Sequence, residues 1–292
     1  MHLHNKFNHN TSIVGVIGNP IKHSFSPLMH NLSFEMGNLN FIYLPFDVPP
    51  ANLKDALKGM IALGIKGFNV TLPLKEKILS HMHVLSEDAG VIGAVNTVVN
   101  DNGRLFGYNT DVNGIIESLT PFKDEIADSS VAVIGAGGGS RSVIYALIRH
   151  FKAGEIYILN RTGQKAESMK DYFAQKMHYE NIRTYELVPP DVVNVFQKSK
   201  LIINTTSVGM SPAVDDSPTE IASSIHNQHI VFDLIYNPIE TKFLKMAKEQ
   251  GARTVNGLSM FVEQGARSFE YWTGEKMDKE KIYKALESYL SV

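Results

Sequence analysis

The stretch that decides the fold is Val131-Ala-Val-Ile-Gly-Ala-Gly-Gly-Gly-Ser-Arg-Ser-Val-Ile-Tyr145. Its first four residues form a short apolar run that predicts a buried strand, and Val143, Ile144, Leu147 and Ile148 recur at helical spacing after the glycines. Strand, glycine turn and helix open a dinucleotide-binding βαβ unit, in which Gly135 permits the turn and Gly137 lets the backbone approach a pyrophosphate. Ser140 replaces the usual third Gly or Ala, so a plain glycine turn stays open as the alternative.

The chain beyond this stretch alternates between strand and helix patterns. Strands are predicted at residues 155–159, 183–186, 201–204, 230–234 and 253–255, with helices in the intervals. This alternation favours a parallel, doubly wound, Rossmann-like sheet. After Gly257 the pattern is helical, over residues 260–272 and 279–290.

The first half predicts a separate, open α/β arrangement. Strands are predicted at residues 12–18, 41–45 and 67–71, helices at 26–36 and 52–63, and a hairpin at 94–107 around Asp101-Asn-Gly103. Ser26 is expected to cap the first helix, with Pro27 in its first turn. Asn109-Thr-Asp111 is expected to cap a helix to about residue 119, and the polar segment 121–129 to cross between domains.

The composition is that of an ordinary globular protein, and the length is enough for two domains. The 292 residues carry a formal net charge of −2 and no cysteine, which excludes disulfides, thiolate metal sites and cysteine nucleophiles. No basic excess suggests nucleic acid, and no apolar run approaches the length of a membrane span. A cytoplasmic location fits this composition. His2, His4 and His9 are interpreted as a polar tail rather than a metal site.

The second strand of the dinucleotide unit ends in Asn160-Arg161-Thr162, with Lys165 shortly after. An acidic residue there favours NAD by accepting from the ribose 2′-hydroxyl, but the first carboxylate is Glu167. Arg161, with Lys165, suits a 2′-phosphate instead, so NADP(H) is favoured. A solvated cation at a helix start is the alternative for Arg161.

Two acid–base candidates and two hydroxyls stand in the first half. Lys75 is expected in the first turn of a helix after Pro73, where the helix dipole disfavours a charged ammonium. Asp111 is the carboxylate expected to orient it. Ser24 and Ser26 alternate with Phe25, and their hydroxyls suit a small carboxylate. The alternatives are a solvent-facing lysine and simple helix capping by Ser26.

Several motifs in this order resemble the shikimate dehydrogenase family from about Ser12 to Leu290. They are Gly18-Asn-Pro, His23-Ser-Phe-Ser-Pro27, His30-Asn31, Asn69-Val-Thr-Leu-Pro-Leu-Lys75, Gly93-Ala-Val-Asn-Thr97, Gly107-Tyr-Asn-Thr-Asp111, Gly135-Ala-Gly-Gly-Gly-Ser140, Asn160-Arg-Thr162, Asn204-Thr-Thr-Ser-Val-Gly-Met210, Asn256-Gly257 and Gln264. Each motif is modest alone, and their shared order is specific.

The resemblance implies a reversible, NADP-dependent reduction of 3-dehydroshikimate to shikimate. It implies Lys75 and Asp111 as the catalytic pair. For substrate it implies Ser24, Ser26, Thr71, Asn96, Tyr236 and Gln264. For cofactor it implies Glu87, Gly135, Ala136, Gly137, Gly138, Gly139, Asn160, Arg161, Thr162, Lys165, Leu234 and Gly257. It also implies a substrate domain of residues 1–113 plus 258–292 around an NADP domain of residues 114–257, and it leaves monomer and homodimer open.

Some positions depart from the family pattern. Gly139 stands where Ala is frequent, and Lys165 replaces an Arg, which keeps the charge but loses the bidentate fork. Ser259 and Glu263 stand where smaller or apolar residues are frequent, and Glu263 beside Gln264 is a candidate for affecting substrate choice.

Three other functions compete with this hypothesis. A quinate/shikimate dehydrogenase using NAD is disfavoured by Asn160-Arg161-Thr162. A non-catalytic sensor of NADP(H) or shikimate has no need of both Lys75 and Asp111. A folate-type dehydrogenase with a similar two-domain plan lacks support from Ser24 and Ser26.

Overall fold

The strands of the computed structural model, which describes residues 7–22 and 24–291, form two six-stranded sheets. His2, His4 and His23 therefore lie outside the described residues. Within the described ranges, no helix combines the length and apolar character needed to cross a membrane.

The first sheet is mixed. Its strands, in chain order, are β1 (Ser12–Gly18), β2 (Phe41–Asp47), β3 (Gly67–Val70), β4 (Val84–Leu85), β5 (Thr97–Asp101) and β6 (Arg104–Tyr108). Their order across the sheet is β2-β1-β3-β5-β6-β4. β1 runs parallel to β2 and β3, whereas β5 runs antiparallel to β3 and forms the predicted hairpin with β6. The sequence prediction of a hairpin at this place is confirmed.

The second sheet is parallel throughout. Its strands are β7 (Ser130–Ile134), β8 (Glu155–Asn160), β9 (Ile182–Glu186), β10 (Leu201–Asn204), β11 (Ile230–Asp233) and β12 (Arg253–Val255). Their order is β12-β11-β10-β7-β8-β9, the doubly wound order of dinucleotide-binding folds. The inner strands β7, β10 and β11 are almost continuous apolar runs because helices cover both faces of such a sheet. The predicted α/β class and doubly wound sheet are confirmed.

Helices connect these strands and complete the chain. They are α1 (Ser26–Met36), α2 (Leu53–Ala62), α3 (Glu87–Ile92), α4 (Asp111–Leu119), α5 (Lys123–Ile126), α6 (Gly138–Ala146), α7 (Gly163–Met177), α8 (Pro189–Lys198), α9 (Lys242–Glu249), α10 (Gly257–Thr273) and α11 (Lys279–Leu290). A π turn, Leu147–Phe151, continues α6.

The chain forms two units. The first takes the chain up to Thr110 together with Val262–Leu286, and the second takes Asp111–Phe261 with the last residues from Glu287. Ile17, Phe68 and Val98 belong to the core of the first unit. The second unit has a core of its own that includes Ile134 and Phe196. Each sheet therefore supports itself by its own buried apolar surface.

Three local predictions were wrong. No helix opens at Lys75, because its carbonyl accepts from Val95 N–H (2.9 Å) and a five-residue 3₁₀ helix, Lys77–His81, begins only after it. The dipole argument for Lys75 therefore falls. Ser26 does not cap α1: Phe25 holds the cap position, and Ser24 Oγ accepts from Ser26 N–H instead (3.3 Å). Residues 121–129 are not a polar crossing between domains. They lie inside the second unit and contain α5, whose Ile126 is fully buried.

His30 lies in the aromatic core of the first unit. Its ring stacks on Tyr43 with centroids 4.5 Å apart, and Trp272 lies 5.3 Å away. Neither ring nitrogen has a hydrogen-bond partner among the described residues. Burial therefore lowers the pKa of His30 from its usual 6.5 to about 3, since the imidazolium cannot be solvated there.

His30 is expected to make the fold sensitive to acid. Because its pKa is lower in the folded chain, its contribution to stability is complete above pH 6.5 and is lost as pH falls toward 3. Relative to His30→Phe, the native chain should lose about 2 kcal/mol of unfolding free energy between pH 7 and pH 5. Urea unfolding at both pH values measures this difference. His178→Asn, at an exposed histidine, is the control, and parallel pH slopes for the native chain and His30→Phe would contradict the expectation.

Candidate active site

The ends of β1, β3 and β6 and the start of β5 meet at one edge of the first sheet. This follows from the pairing, because β5 is antiparallel to both β3 and β6. The loops at this edge carry Ser24, Thr71 and Asn96, which are predicted to bind substrate, and Lys75, which is predicted to be catalytic. Ser26 begins α1 directly after the loop that follows β1. Ligands of open α/β sheets bind at the carboxyl ends of parallel strands, so this edge is the candidate site of the first unit.

The loop after β3 holds Thr71 and Lys75. Thr71 N–H donates to Ile17 O (2.9 Å), and the Thr71 methyl occupies the space over Gly18, where a Cβ would lie 2.4 Å from it. Lys75 is partly buried, so it is not the fully solvent-facing lysine of the alternative. The hydrogen bond from Val95 N–H to Lys75 O holds the Lys75 backbone beside Val95, the residue before Asn96.

Asn96 joins two distant parts of the chain. Its Oδ1 accepts from Thr110 N–H (2.6 Å), and its Nδ2 donates to Gln264 Oε1 of α10 (3.4 Å). Asn96 is 2% exposed and Gln264 9%. The structure thus brings together two predicted substrate residues 168 positions apart. Asp111 follows Thr110 directly, as the buried first residue of α4.

Glu263 turns to a different partner. Its carboxylate accepts from Lys279 Nζ, the first residue of α11 (2.8 Å). That ion pair ties α10 to the start of α11, and the expectation that Glu263 affects substrate choice finds no support in it.

The glycine turn in the second unit is locked by a chain of hydrogen bonds. Gly135 has a φ of +109°, a conformation that L side chains rarely adopt. Thr205 Oγ1 donates to Ile134 O (2.7 Å), Ser140 Oγ donates to Thr205 Oγ1 (2.6 Å), and Gly137 N–H donates to Ser140 Oγ (3.1 Å). Ser140 therefore replaces the usual glycine with a fully buried hydroxyl that fastens the turn to the residue after β10.

The surroundings of this turn fit a dinucleotide. A Cβ built on Gly137 meets nothing within 4 Å, which leaves room for a pyrophosphate. α6 begins at Gly138, and the amides of its first turn have no acceptor within the helix. Leu234 Cδ2 lies 3.5 Å from the Cβ position of Gly139, and Gly257 allows its backbone to pass the carbonyl of Leu234.

Two exposed cations follow β8: Arg161 directly after it and Lys165 in the first turn of α7. Asn160 Nδ2 donates to Thr162 O (2.9 Å), which shapes the turn that presents Arg161. Within the part of the chain that the structure describes, Arg161 and Lys165 form no ion pair. Glu167, the nearest following carboxylate, bonds Thr184 and Lys170, and both interactions lower its pKa. The observed charges therefore suit a 2′-phosphate.

Other predicted residues stand apart from these two groups. Tyr236 belongs to the second unit, where its ring stacks on Phe261 at 4.1 Å. Glu87 is the exposed first residue of α3 in the first unit, and its predicted contact with a cofactor stays a prediction.

Sequence reasoning assigned no role to the carboxyl of Asp233, the buried last residue of β11. Asp233 accepts from Asn204 Nδ2 (3.0 Å), Ile235 N–H (3.1 Å) and Thr241 Oγ1 (2.8 Å). Burial raises the pKa of Asp233 to about 6 against the opposing effect of these donors. The only signal in the sequence was an Asp at the end of an apolar strand.

Family comparisons cover most of the chain. Residues 16–98 match the shikimate dehydrogenase substrate binding domain, residues 118–250 match shikimate/quinate 5-dehydrogenase, and residues 257–287 match the shikimate 5′-dehydrogenase C-terminal domain.

Individual proteins match over nearly full length. A shikimate dehydrogenase (NADP(+)) of Caldanaerobacter subterraneus subsp. tengcongensis is 46% identical over 285 residues, 96% of this chain and 98% of that protein. A crystal structure of a shikimate dehydrogenase in complex with NADP+ superposes with a TM-score of 0.88 at 39% identity, over 97% of both chains. The enzyme of Thermus thermophilus, in complex with NADP(H) and shikimate, has a TM-score of 0.81 at 35% identity, over 95% of this chain and 99% of that one.

The Ser140 hydroxyl is expected to support dinucleotide binding. Ser140→Ala removes the bonds to Gly137 and Thr205, and should raise the Kd for NADP+ about five- to tenfold. Ser199→Ala is the control, because this buried serine of the second unit donates its hydroxyl to Val195 O (2.8 Å) and has no proposed role in binding. Calorimetric titration with NADP+ measures both. A Kd for Ser140→Ala that equals that of Ser199→Ala and of the native chain would show that the hydroxyl is dispensable.

Proposed function

The chain belongs to the shikimate/quinate dehydrogenase family, and on that basis we propose that Lys75 and Asp111 form the proton-transfer pair of its reaction. The protein catalyses the NADP-dependent interconversion of 3-dehydroshikimate and shikimate in the shikimate pathway. NADPH, when bound, supplies the hydride that reduces the C3 carbonyl of 3-dehydroshikimate. The chain's own residues must then hold the substrate and deliver one proton to the carbonyl oxygen.

The observation that supports this proposal is a pair of hydrogen bonds that tie the Lys75 backbone to Val95, and Thr110, the residue before Asp111, to Asn96. Lys75 is tied by its carbonyl to Val95, and Asp111 follows Thr110, whose N–H donates to Asn96 Oδ1. In the direction of reduction, the Lys75 ammonium gives its proton to the oxygen at C3. The carboxylate of Asp111 orients that ammonium and stabilises its charge.

The other residues proposed to bind substrate have neutral side chains that donate and accept hydrogen bonds. The hydroxyls of Ser24 and Ser26 are proposed to bind the substrate carboxylate. Thr71, Asn96, Tyr236 and Gln264 are proposed to bind the ring hydroxyls or that carboxylate. Side chains with a hydroxyl or an amide suit such a polyol because each can both donate and accept.

The glycine turn and the end of β8 supply the cofactor contacts. Residues 135–139 are proposed to hold the pyrophosphate, with the first amides of α6 as donors. Asn160, Arg161, Thr162 and Lys165 are proposed to hold the 2′-phosphate, and Glu87, Leu234 and Gly257 to contact the nicotinamide half. A cytoplasmic location is proposed with this function.

The alternative is a broader quinate/shikimate dehydrogenase that uses NAD. The family match covers both shikimate and quinate as substrates. The preference for NADP over NAD is argued from Arg161 and from Glu167, whose carboxylate is engaged by Thr184 and Lys170. A non-catalytic sensor needs no lysine beside the substrate, and Lys75 therefore favours the enzyme.

Nicotinamide absorbance with shikimate or quinate against NADP+ or NAD+ tests the function. Reduction of the cofactor should be fastest with shikimate and NADP+. Arg161→Ala should raise KM for NADP+ about ten- to a hundredfold and leave KM for NAD+ unchanged. Arg149→Ala, at an exposed arginine of the π turn, is the control. An equal rise in KM for both cofactors would show that Arg161 does not recognise the 2′-phosphate. Cofactor binding without any turnover would favour the non-catalytic sensor over the enzyme.

Lys75→Ala should lower kcat for shikimate oxidation about a hundredfold or more, with a smaller change in KM for shikimate, because it removes the group that takes the proton of the C3 hydroxyl in this direction. Lys77→Ala, two residues further at an exposed position of the 3₁₀ helix, should leave kcat unchanged. Steady-state kinetics at saturating shikimate and NADP+ measures both variants. Unchanged turnover of Lys75→Ala would remove Lys75 from the mechanism.

A further inference from the structure

Behind Asn96 and Gln264 lies a continuous buried network of neutral side chains in the first unit. Its members are hydroxyl and amide groups from strands, a loop and a helix: Tyr43, Asn69, Asn96, Thr97, Thr110, Gln264 and Ser268. All of these residues are buried: each is at most 9% exposed, and Tyr43 is 1% exposed. A buried network of this kind is stable only if its members satisfy one another.

Ser268 lies at the centre of this network. Its hydroxyl is fully buried and lies 3.0 Å from Asn69 Nδ2, 2.8 Å from Thr97 Oγ1 and 3.2 Å from Thr110 Oγ1. Ser268 Oγ also donates to Gln264 O one turn earlier in α10 (3.0 Å). One hydroxyl thus joins the helix that carries Gln264 to the strand ends that carry the rest of the site.

Backbone and phenol donors orient the amides at both ends. The Thr110 N–H donates to Asn96 Oδ1, so Asn96 Nδ2 donates to Thr110 Oγ1 (2.9 Å) and to Gln264 Oε1 (3.4 Å). At the other end, Tyr43 OH donates to Asn69 Oδ1 (2.8 Å), so Asn69 Nδ2 donates toward Thr97 and Ser268. The hydroxyls between these ends have to match both orientations.

We propose that Ser268 is a positioning residue for substrate binding. It holds Thr97 and Thr110 in the arrangement that orients the amides of Asn96 and Gln264. It does not contact the substrate in this proposal and acts through those two amides. The inference rests on the proposed substrate roles of Asn96 and Gln264.

Removal of this hydroxyl falls on the two threonines. In Ser268→Ala, Asn69 Nδ2 keeps Asn96 O (3.1 Å) and Thr97 Oγ1 (3.1 Å) as acceptors, whereas Thr97 Oγ1 and Thr110 Oγ1 each lose a partner at a position buried from water. The hydroxyls of Thr97 and Thr110 can rotate to re-pair with each other, since they lie 3.1 Å apart. Such re-pairing changes which groups Asn96 meets, and it costs substrate affinity rather than cofactor affinity.

The test compares Ser268→Ala with Ser33→Ala. Ser33 is a matched control: it is a buried helical serine of the same unit whose hydroxyl donates to the carbonyl four residues earlier, Met29 O (2.7 Å). Ser268→Ala should raise KM for shikimate about five- to tenfold and leave KM for NADP+ within about twofold. Ser33→Ala should change neither. A stability loss in Ser268→Ala with an unchanged KM for shikimate would overturn the proposal.

A coupled substitution separates positioning from a general packing effect. If Ser268 acts through Gln264 and Asn96, then Ser268→Ala in a Gln264→Ala background should add less than half of its single effect on KM, on a logarithmic scale. Full additivity would overturn the proposed route. Thr97→Val, which keeps the shape of the side chain, should also raise KM for shikimate and serves if Ser268→Ala fails to fold.

The wild-type chain distinguishes the two levels of the argument. No oxidation of shikimate by the wild type would defeat the proposed function. An active wild type with an unaffected Ser268→Ala would defeat only the role of Ser268.

Discussion

The antiparallel pairing of β5 with β3 is the constraint on which the first unit depends. It sets Thr97 opposite Asn69, so that the start of one strand lies at the end of the other. Without this reversal, Asn96 would stand at the far edge of the sheet from Thr71. The bonds from Val95 to Lys75 and from Thr110 to Asn96 then become possible, because three loops leave the same edge. The second unit achieves a comparable convergence with parallel strands alone, whose carboxyl ends all face one way.

Much of this architecture could be predicted from the sequence, because its signals are local. The apolar runs of β7, β10 and β11, the hairpin turn at Asp101-Asn-Gly103 and the helical periodicity after Gly257 are each visible in a short window of sequence. The doubly wound sheet follows from the alternation of such segments. Arg161 could be singled out for the same reason, since it directly follows a strand that the local sequence predicts.

The failures have a different physical origin. Lys75 lies outside a helix because its carbonyl bonds to Val95, twenty residues further along the chain, and no local pattern announces that bond. Ser268 meets Asn69 across 199 positions, so its role emerges only when α10 returns to the first sheet. Ser140 departs from the glycine fingerprint, and only the contact with Thr205 shows that the hydroxyl has a partner of its own. Tertiary hydrogen bonds of this kind override local preference.

The network around Ser268 consists of groups that do not titrate near neutral pH. Apart from the Tyr43 phenol, its members are amides and aliphatic hydroxyls, which keep their protons across the range in which enzymes work. On the proposed roles, polyol binding is supported by this network, whereas proton transfer is proposed for Lys75 and Asp111. Recognition and proton exchange would then be carried by chemically distinct sets of atoms.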